Sequence, residues 1–258
     1  MNNFKNSIKN IPFLYRLYLR CFNHEYYLQK KAETNFLKGL IKNTILIFDI
    51  GANIGNKTDL FHQLGARVIA VEPDQLNFKL LLKRFHNKRS VTLLPYAVSD
   101  KNGFSTFFIE APGSAFNTLS EKWKDVLGNK SLNRWEVDKQ FGQKLEVKTV
   151  TLDQLINDYG KPGYIKIDVE GHELACIKGL SQKITNISFE ANLPEFKTET
   201  LEIIRHLENT DPSVKFNYVT NDEKFELPVT QNSSEFYEFI KTTSLRYLEI
   251  YSFMNNDH

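Results

Sequence analysis

From Thr44 onward, short apolar runs rich in β-branched residues alternate with stretches of helical periodicity, and that alternation leaves few architectures open. Strands separated by helices pair in parallel, because each crossover must return to the same edge of the sheet and packs on its face. Residues 45–50 read as a first strand buried on both sides, 57–64 as a helix and 66–71 as a second strand. A helix over 75–85 follows, with Leu76, Leu80, Leu81 and Leu82 at helical spacing, and then a third strand over 91–98. Three strands and two helices in this order make one half of a doubly wound sheet.

The rhythm changes after residue 102. Residues 103–109 and 145–150 look like strands with no ordinary helix between them, so 103–150 reads as a β-rich insertion, its connecting stretch 110–142 holding both tryptophans. Alternation then resumes with a helix over 151–158 capped by Thr151, a fourth strand over 164–169, a helix over 172–180, a fifth strand over 184–189 and a helix over 197–207. Strands over 215–220 and 247–253, with a short helix near 235–241 between them, close the pattern. The expected organisation is an N-terminal helical extension, 1–43, and a single α/β domain, 44–258.

Composition narrows the function classes. The 33 Lys and Arg against 31 Asp and Glu leave a net charge of +2, without the basic excess of a nucleic-acid-binding domain. Only Cys21 and Cys176 are present, and a chain of 258 residues needs no disulfide staple, so reduced thiols and a cytoplasmic location are expected. No apolar run approaches the roughly 18 residues of a bilayer span. Residues 11–22 are aromatic and apolar but broken by Arg16 and Arg20; they read as a helix packed on the domain, with peripheral membrane contact as the other reading.

In such sheets ligands bind beyond the carboxyl ends of the strands, near the point where strand order reverses. There the first strand runs into Asp49-Ile-Gly51-Ala-Asn53-Ile-Gly55, whose glycines allow a tight turn and close approach of a ligand. The second strand ends in Glu72, placed to accept the two ribose hydroxyls of an adenosine. Dinucleotides and S-adenosylmethionine share that corner. A dinucleotide loop prefers GxGxxG, and this chain has Asn53 where a second glycine is wanted, so methyl transfer fits better than hydride transfer. An NAD-dependent oxidoreductase and a catalytically inactive adenosyl-binding domain remain the alternatives.

The blocks FDIGANIG (48–55), VEP (71–73), YAVSD (96–100), VTLDQL (150–155) and YIKIDVEGHE (164–173) together resemble the FkbM-type S-adenosylmethionine-dependent methyltransferases. The resemblance implies a class I methyltransferase fold, Rossmann-like with strand order 3-2-1-4-5-7-6 and the last strand antiparallel, and O-methylation of a sugar, glycan or polyketide-type hydroxyl. Carried onto this chain, it places Asp49, Gly51, Asn53 and Gly55 around the methionine moiety, Glu72 on the ribose, and Ala97, Val98 and Ser99 beside the adenine.

Alternation sets Lys166, Asp168 and Glu170 on one face of the fourth strand, pointing Asp168 and Glu170 toward the cofactor end with His172 close by. His172 is the first candidate for the base that deprotonates the acceptor, because the ordinary pKa of histidine lies nearest neutrality. Asp168, Glu170 and Glu190 could converge on a divalent cation, but carboxylates at strand ends also cap helices and accept hydroxyls, and a metal-free site is expected. Cys176 reads as a buried, inert thiol, and His62 and His86 as solvent-facing. Phe116, Trp123 and Trp135 offer flat surfaces for a sugar ring, on an insertion expected to move as a lid.

Overall fold

The computed structural model describes residues 24–42, 44–221 and 224–254. Residues 11–22, and with them the membrane-contact reading and Cys21, lie outside the described residues. The chain divides into two compact units, one holding Met1–Lys42 with Asn221–Lys224 and the other holding the rest. In the first, helix α1 spans His24–Leu40 and carries a Lys30–Glu33 ion pair one turn apart, Nζ to Oε2 2.6 Å. No helix among the described residues is long and apolar enough to cross a membrane.

The second unit is the alternating one. Strands β1 (Leu46–Ile50), β2 (Arg67–Val71) and β3 (Val91–Leu94) are joined by helices α2 (Asn56–Gln63) and α3 (Gln75–Phe85). Asp74 starts α3 by accepting from the backbone N–H groups of Leu76 and Asn77, the side-chain cap its first turn needs. The third strand is shorter than its hydrophobic run suggested. Pro95 has no N–H to give a ladder, and beyond it Ala97–Val98 form β4 in a different sheet. There β4 pairs with β6 (Gln143–Val150), which pairs antiparallel with β5 (Gly103–Ile109). The expected insertion is therefore a small sheet of its own, with helix α4 (Glu121–Leu127) capped by Ser120.

Helix α5 (Leu152–Tyr159), capped by Thr151 as its sequence indicates, leads to β7 (Tyr164–Ile167), α6 (Glu173–Lys178), β8 (Asn186–Asn192) and α7 (Lys197–Thr210). The remainder is β9 (Lys215–Val219), β10 (Gln231–Asn232), α8 (Ser233–Thr242) and β11 (Tyr247–Phe253). The main sheet runs β3-β2-β1-β7-β8-β11-β9-β10. Strands β3, β2, β1, β7 and β8 are parallel and β11 is antiparallel to both its neighbours. Counted along the sheet, this is the class I order 3-2-1-4-5-7-6 with the two-residue β10 added at the edge. β1 is an interior strand with Ile47, Phe48 and Ile50 fully buried, so its carboxyl end is held between β2 and β7.

Candidate active site

The cleft opens where β1, β2 and β7 end, which is the reversal point of the sheet. Its volume is about 760 Å³ including the open mouth, ample for a cofactor and part of a second ligand. After β1 the chain turns back at once: the N–H groups of Gly51 and Ala52 both donate to the Val71 carbonyl, each at 3.0 Å. Gly51 takes φ +80°, and a Cβ there would lie 1.7 Å from the Asp168 carbonyl oxygen. No other residue fits, because the loop after β1 and the turn after β7 are locked backbone to backbone.

Glu72 faces this loop from the end of β2. Its Oε2 accepts the N–H of Asn53 at 2.7 Å and its Oε1 the N–H of Asp74 at 2.8 Å. Burial pushes the carboxyl up to about 7, opposed by those two N–H groups. Asn53 itself sits in the left-handed region at φ 50°, which aims its N–H at Glu72. Gly51, Asn53, Glu72, Ala97, Val98 and Asp168 all border the cleft, as do Glu170, His172 and Glu190.

Three of the residues expected at the cofactor stand behind that surface. Asp49 is fully buried beneath it, its Oδ2 accepting from Thr58 and its Oδ1 without a hydrogen-bond partner among the described residues. Burial raises its carboxyl, against the nearby charge of Lys166. Gly55 precedes α2 at φ +81°, where a Cβ would strike Phe85 and Leu81, and it does not line the cleft. Ser99 is buried behind His172. Conversely, Asn77 borders the cleft though no motif marked it. It is 2% exposed, and its side-chain amide has no hydrogen-bond partner among the described residues.

The opposite wall is the turn after β7. Strand geometry stops at Ile167, and Glu170 (φ 55°) and Gly171 (φ 85°) swing the chain into α6, so Glu170 does not continue the face of Lys166 and Asp168. Lys166 is buried and donates to Asp168 Oδ2 at 2.7 Å. Burial alone would lower its ammonium, but the charges of Asp168, Asp49 and Glu249 outweigh burial and raise it. Glu173, the last residue of the 164–173 block, holds the turn by accepting the N–H groups of Val169 and Gly171 at 3.2 Å each.

Glu170 and Glu190 face each other electrostatically. Burial lifts both well above the carboxylate range, helped for Glu170 by Glu190 and for Glu190 by Asp168. Tyr247 donates its hydroxyl to Glu190 Oε1 at 2.9 Å. Among the described residues no three of His, Cys, Asp and Glu are grouped as a metal site. His172 caps α6 with its Nε2 3.0 Å from Ser99 Oγ, which in turn donates to Asp100 Oδ1 at 3.2 Å. Burial lowers its pKa to about 4 in spite of Asp100, so the expected titration near neutrality is corrected: the ring is uncharged throughout that range.

The insertion, expected to act as a lid, is hydrogen-bonded to the cleft wall in this structure. Asp74 Oδ2 accepts from Asn117 at 2.9 Å and from the Gly113 N–H at 3.2 Å, and Thr118 Oγ1 donates to the Glu170 carbonyl at 2.6 Å. Trp123 is fully buried, edge-on to Trp135 and Phe196 at 5.5 and 5.6 Å, and so presents no face to a sugar. Cys176 is buried as expected, its thiol donating to the Val98 carbonyl. His62 is not free on the surface: its Nδ1 lies 2.7 Å from Ser90 Oγ.

A family model for the methyltransferase FkbM domain matches residues 49–214, which is nearly two thirds of the chain and contains the whole cleft. A curated relative, the hexuronic acid methyltransferase AglP of Haloferax volcanii, is 24% identical over 191 residues, covering 72% of this chain and 71% of its own. Among solved structures, the precorrin-6y C5,15-methyltransferase of Geobacter metallireducens is 13% identical with a TM-score of 0.45, covering 87% of this chain and 88% of its own. The O-methyltransferase of Bacillus cereus is 14% identical with a TM-score of 0.43, covering 87% and 81%. Those likenesses are remote, and the fold assignment rests on the strand order of this chain. The oxidoreductase alternative falls with the family match. The protein belongs to the FkbM methyltransferase family and is an S-adenosylmethionine-dependent methyltransferase.

Proposed function

We propose that this enzyme methylates a hydroxyl of a sugar, with the cofactor along the β1–β2 side of the cleft and the acceptor against the β7–β8 side. The observation that carries this reading is the division of one cleft between Glu72 and the Gly51 loop on one wall and Asp168, Glu170, His172 and Glu190 on the other. S-adenosylmethionine suits the first wall. Glu72 is oriented by two backbone N–H groups and keeps lone pairs for a ribose diol, and the unpartnered Asn77 amide offers both a donor and an acceptor for the edge of adenine beside Ala97 and Val98. The relative's hexuronic acid substrate supports a sugar as the acceptor.

The cofactor, when bound, supplies a methyl group on a sulfonium, already activated. What remains for the chain is to hold an acceptor oxygen in line and to take its proton. If Ser99 gives its hydroxyl hydrogen to Asp100, it must accept at Oγ, so His172 Nε2 carries the ring hydrogen and Nδ1 keeps the lone pair. His172 then acts as the base through Nδ1. Lys166 fixes the Asp168 side chain at the junction of the two walls. Glu170, whose carboxyl is raised by burial beside Glu190, borders the cleft where it can hydrogen-bond an acceptor hydroxyl.

In the same reading, 44–258 is the methyltransferase domain with its insertion over 103–150, residues 1–43 are an extension, and the buried reduced Cys176 agrees with a cytoplasmic location. The test is transfer of a labelled methyl group from S-adenosylmethionine to fractionated cellular glycans and free sugars. Label recovered as an alkali-stable sugar ether supports the reading. Label confined to protein, nucleic acid or a non-carbohydrate metabolite overturns the acceptor assignment.

A further inference from the structure

Helix α3 turns only part of its apolar surface inward. Leu81 and Phe85 are buried, but three of the four leucines that give the helix its periodicity face out: Leu76 is 45% exposed, Leu80 44% and Leu82 49%. Leu76 and Leu80 stand one turn apart and form a single stripe. Ile54, 41% exposed, is tied to the same helix, because Arg84, one turn beyond Leu80, donates to the Ile54 carbonyl at 2.9 Å. Lys79 and Lys83, also one turn apart, run alongside the stripe and separate it from Leu82.

The charge on this face has one sign. Between Gln75 and Ser99 the chain holds Lys79, Lys83, Arg84, Lys88 and Arg89 and no Asp or Glu, in a protein whose net charge is only +2. Arg84 is paired with Asp59 at 3.0 Å. The side chains of Lys79, Lys83, Lys88 and Arg89 are exposed and make no ion pair or hydrogen bond among the described residues. Outward leucines interleaved with unpaired cations are the pattern of a helix lying in the plane of an anionic bilayer, leucines at the acyl boundary and lysines among the headgroups. A second copy of the chain fits worse, since a two-fold contact would set these cations against themselves. A nucleic acid would engage the cations but leave the leucines in water.

The face also borders the mouth of the cleft. Leu76 precedes Asn77 and Ile54 follows Asn53, and both asparagines line the cleft. Leu76 lies against the Gly113 turn of the insertion, where a Cβ would come within 3.1 Å of it. We propose that the outer face of α3, together with Ile54, docks this enzyme on an anionic membrane surface with the rim of its cleft at the headgroups. The inference does not depend on which acceptor is methylated.

The test is co-sedimentation of the full chain with vesicles of phosphatidylcholine alone and of phosphatidylcholine containing about one third phosphatidylglycerol. Wild type is expected to bind the anionic vesicles at least about tenfold more tightly, with the preference shrinking at high salt as the charges are screened. Lys79→Glu combined with Lys83→Glu should weaken that binding by at least about tenfold, since each basic residue at such a surface is worth roughly fivefold. Leu76→Ser combined with Leu80→Ser should weaken it severalfold at either salt. Both variants should keep the wild-type affinity for S-adenosylhomocysteine, which shows that they are folded. Equal or absent binding to the two kinds of vesicle, or anionic binding undiminished in both variants, overturns the proposal. Vesicle binding that the leucine variant leaves intact and that duplex DNA competes away assigns the cations to a nucleic acid and overturns it too.

Discussion

Glu72 and His172 show how far burial can carry a side chain from its solution behaviour. Glu72 titrates near 7 because burial opposes its charge, but a ribose diol donating to it would favour the ionised form. Binding should then release a proton, so affinity for S-adenosylhomocysteine is expected to rise as pH increases from 6 to 8. Glu72→Ala should weaken binding by about 1.5–3 kcal/mol, the range for hydrogen bonds to a charged acceptor, and should flatten that pH dependence; calorimetry at several pH values measures both. His172, with its pKa lowered to about 4, is already in its base form at pH 5. Its substitution by Ala should lower kcat by about 10²–10⁴-fold. The pH profile of kcat should lack any inflection near 6.5 assignable to this ring, and one that disappears in the Ala variant would contradict the assignment.

Among the elements, the loop after β1 and the turn after β7 depend on each other. The Gly51 Cβ position is occupied by the Asp168 carbonyl, so Gly51→Ala must separate two central strand ends before it touches any ligand. Gly65 is the right control: it too has positive φ, at +94°, but open space around it. Gly65→Ala carries the backbone strain alone, about 1 kcal/mol, whereas Gly51→Ala should cost several times as much and abolish S-adenosylhomocysteine binding. Thermal unfolding of the pair, with and without ligand, reads the difference. The turn after β7 has its own constraint, since a Cβ on Gly171 would lie 2.8 Å from the Phe196 ring and 2.9 Å from Trp123 Cβ. Through that contact the insertion becomes part of the wall it covers.

Taken over the whole molecule, the site is a concentration of buried acid, and stability should record it. Glu72 and Glu173 hold their protons to about pH 7 in the fold but release them near their ordinary 4.5 when unfolded. Between those values the native state binds more protons, so stability falls as pH rises from about 4.5 through 7. His172 acts in the opposite sense, the unfolded chain holding its proton to 6.5 and the native state only to about 4, so it adds stability as pH rises between those limits. Above 6.5 only the acids remain. The unliganded protein is expected to lose on the order of 1–3 kcal/mol between pH 6.5 and 8, read from urea midpoints. Glu173→Gln, which keeps the oxygen that accepts from Val169 and Gly171, should reduce the loss.

By itself the sequence determined the sheet and its pole. Apolar runs and helical periodicity specify β1, α2, β2 and α3 nearly to the residue, because elements buried on a whole face leave a local, periodic mark. The order of the blocks, from the Gly51 loop through Glu72 to the turn at Gly171, indicated one site, because in a parallel sheet successive strands must end on the same side. What it could not carry was anything set by contact between distant segments. Pro95 diverts an apolar run into a second sheet, the Asp168 carbonyl rather than a ligand demands Gly51, and Asp49, Gly55 and Ser99 serve the cleft from behind it. The depressed pKa of His172 and the raised ones of Glu170 and Glu190 come from desolvation and mutual charge. Asn77 lies in a segment with no motif, and only the fold brings its unspent side-chain amide to the cleft: spacing along a chain encodes what each element buries, while distance across the structure decides which charges meet.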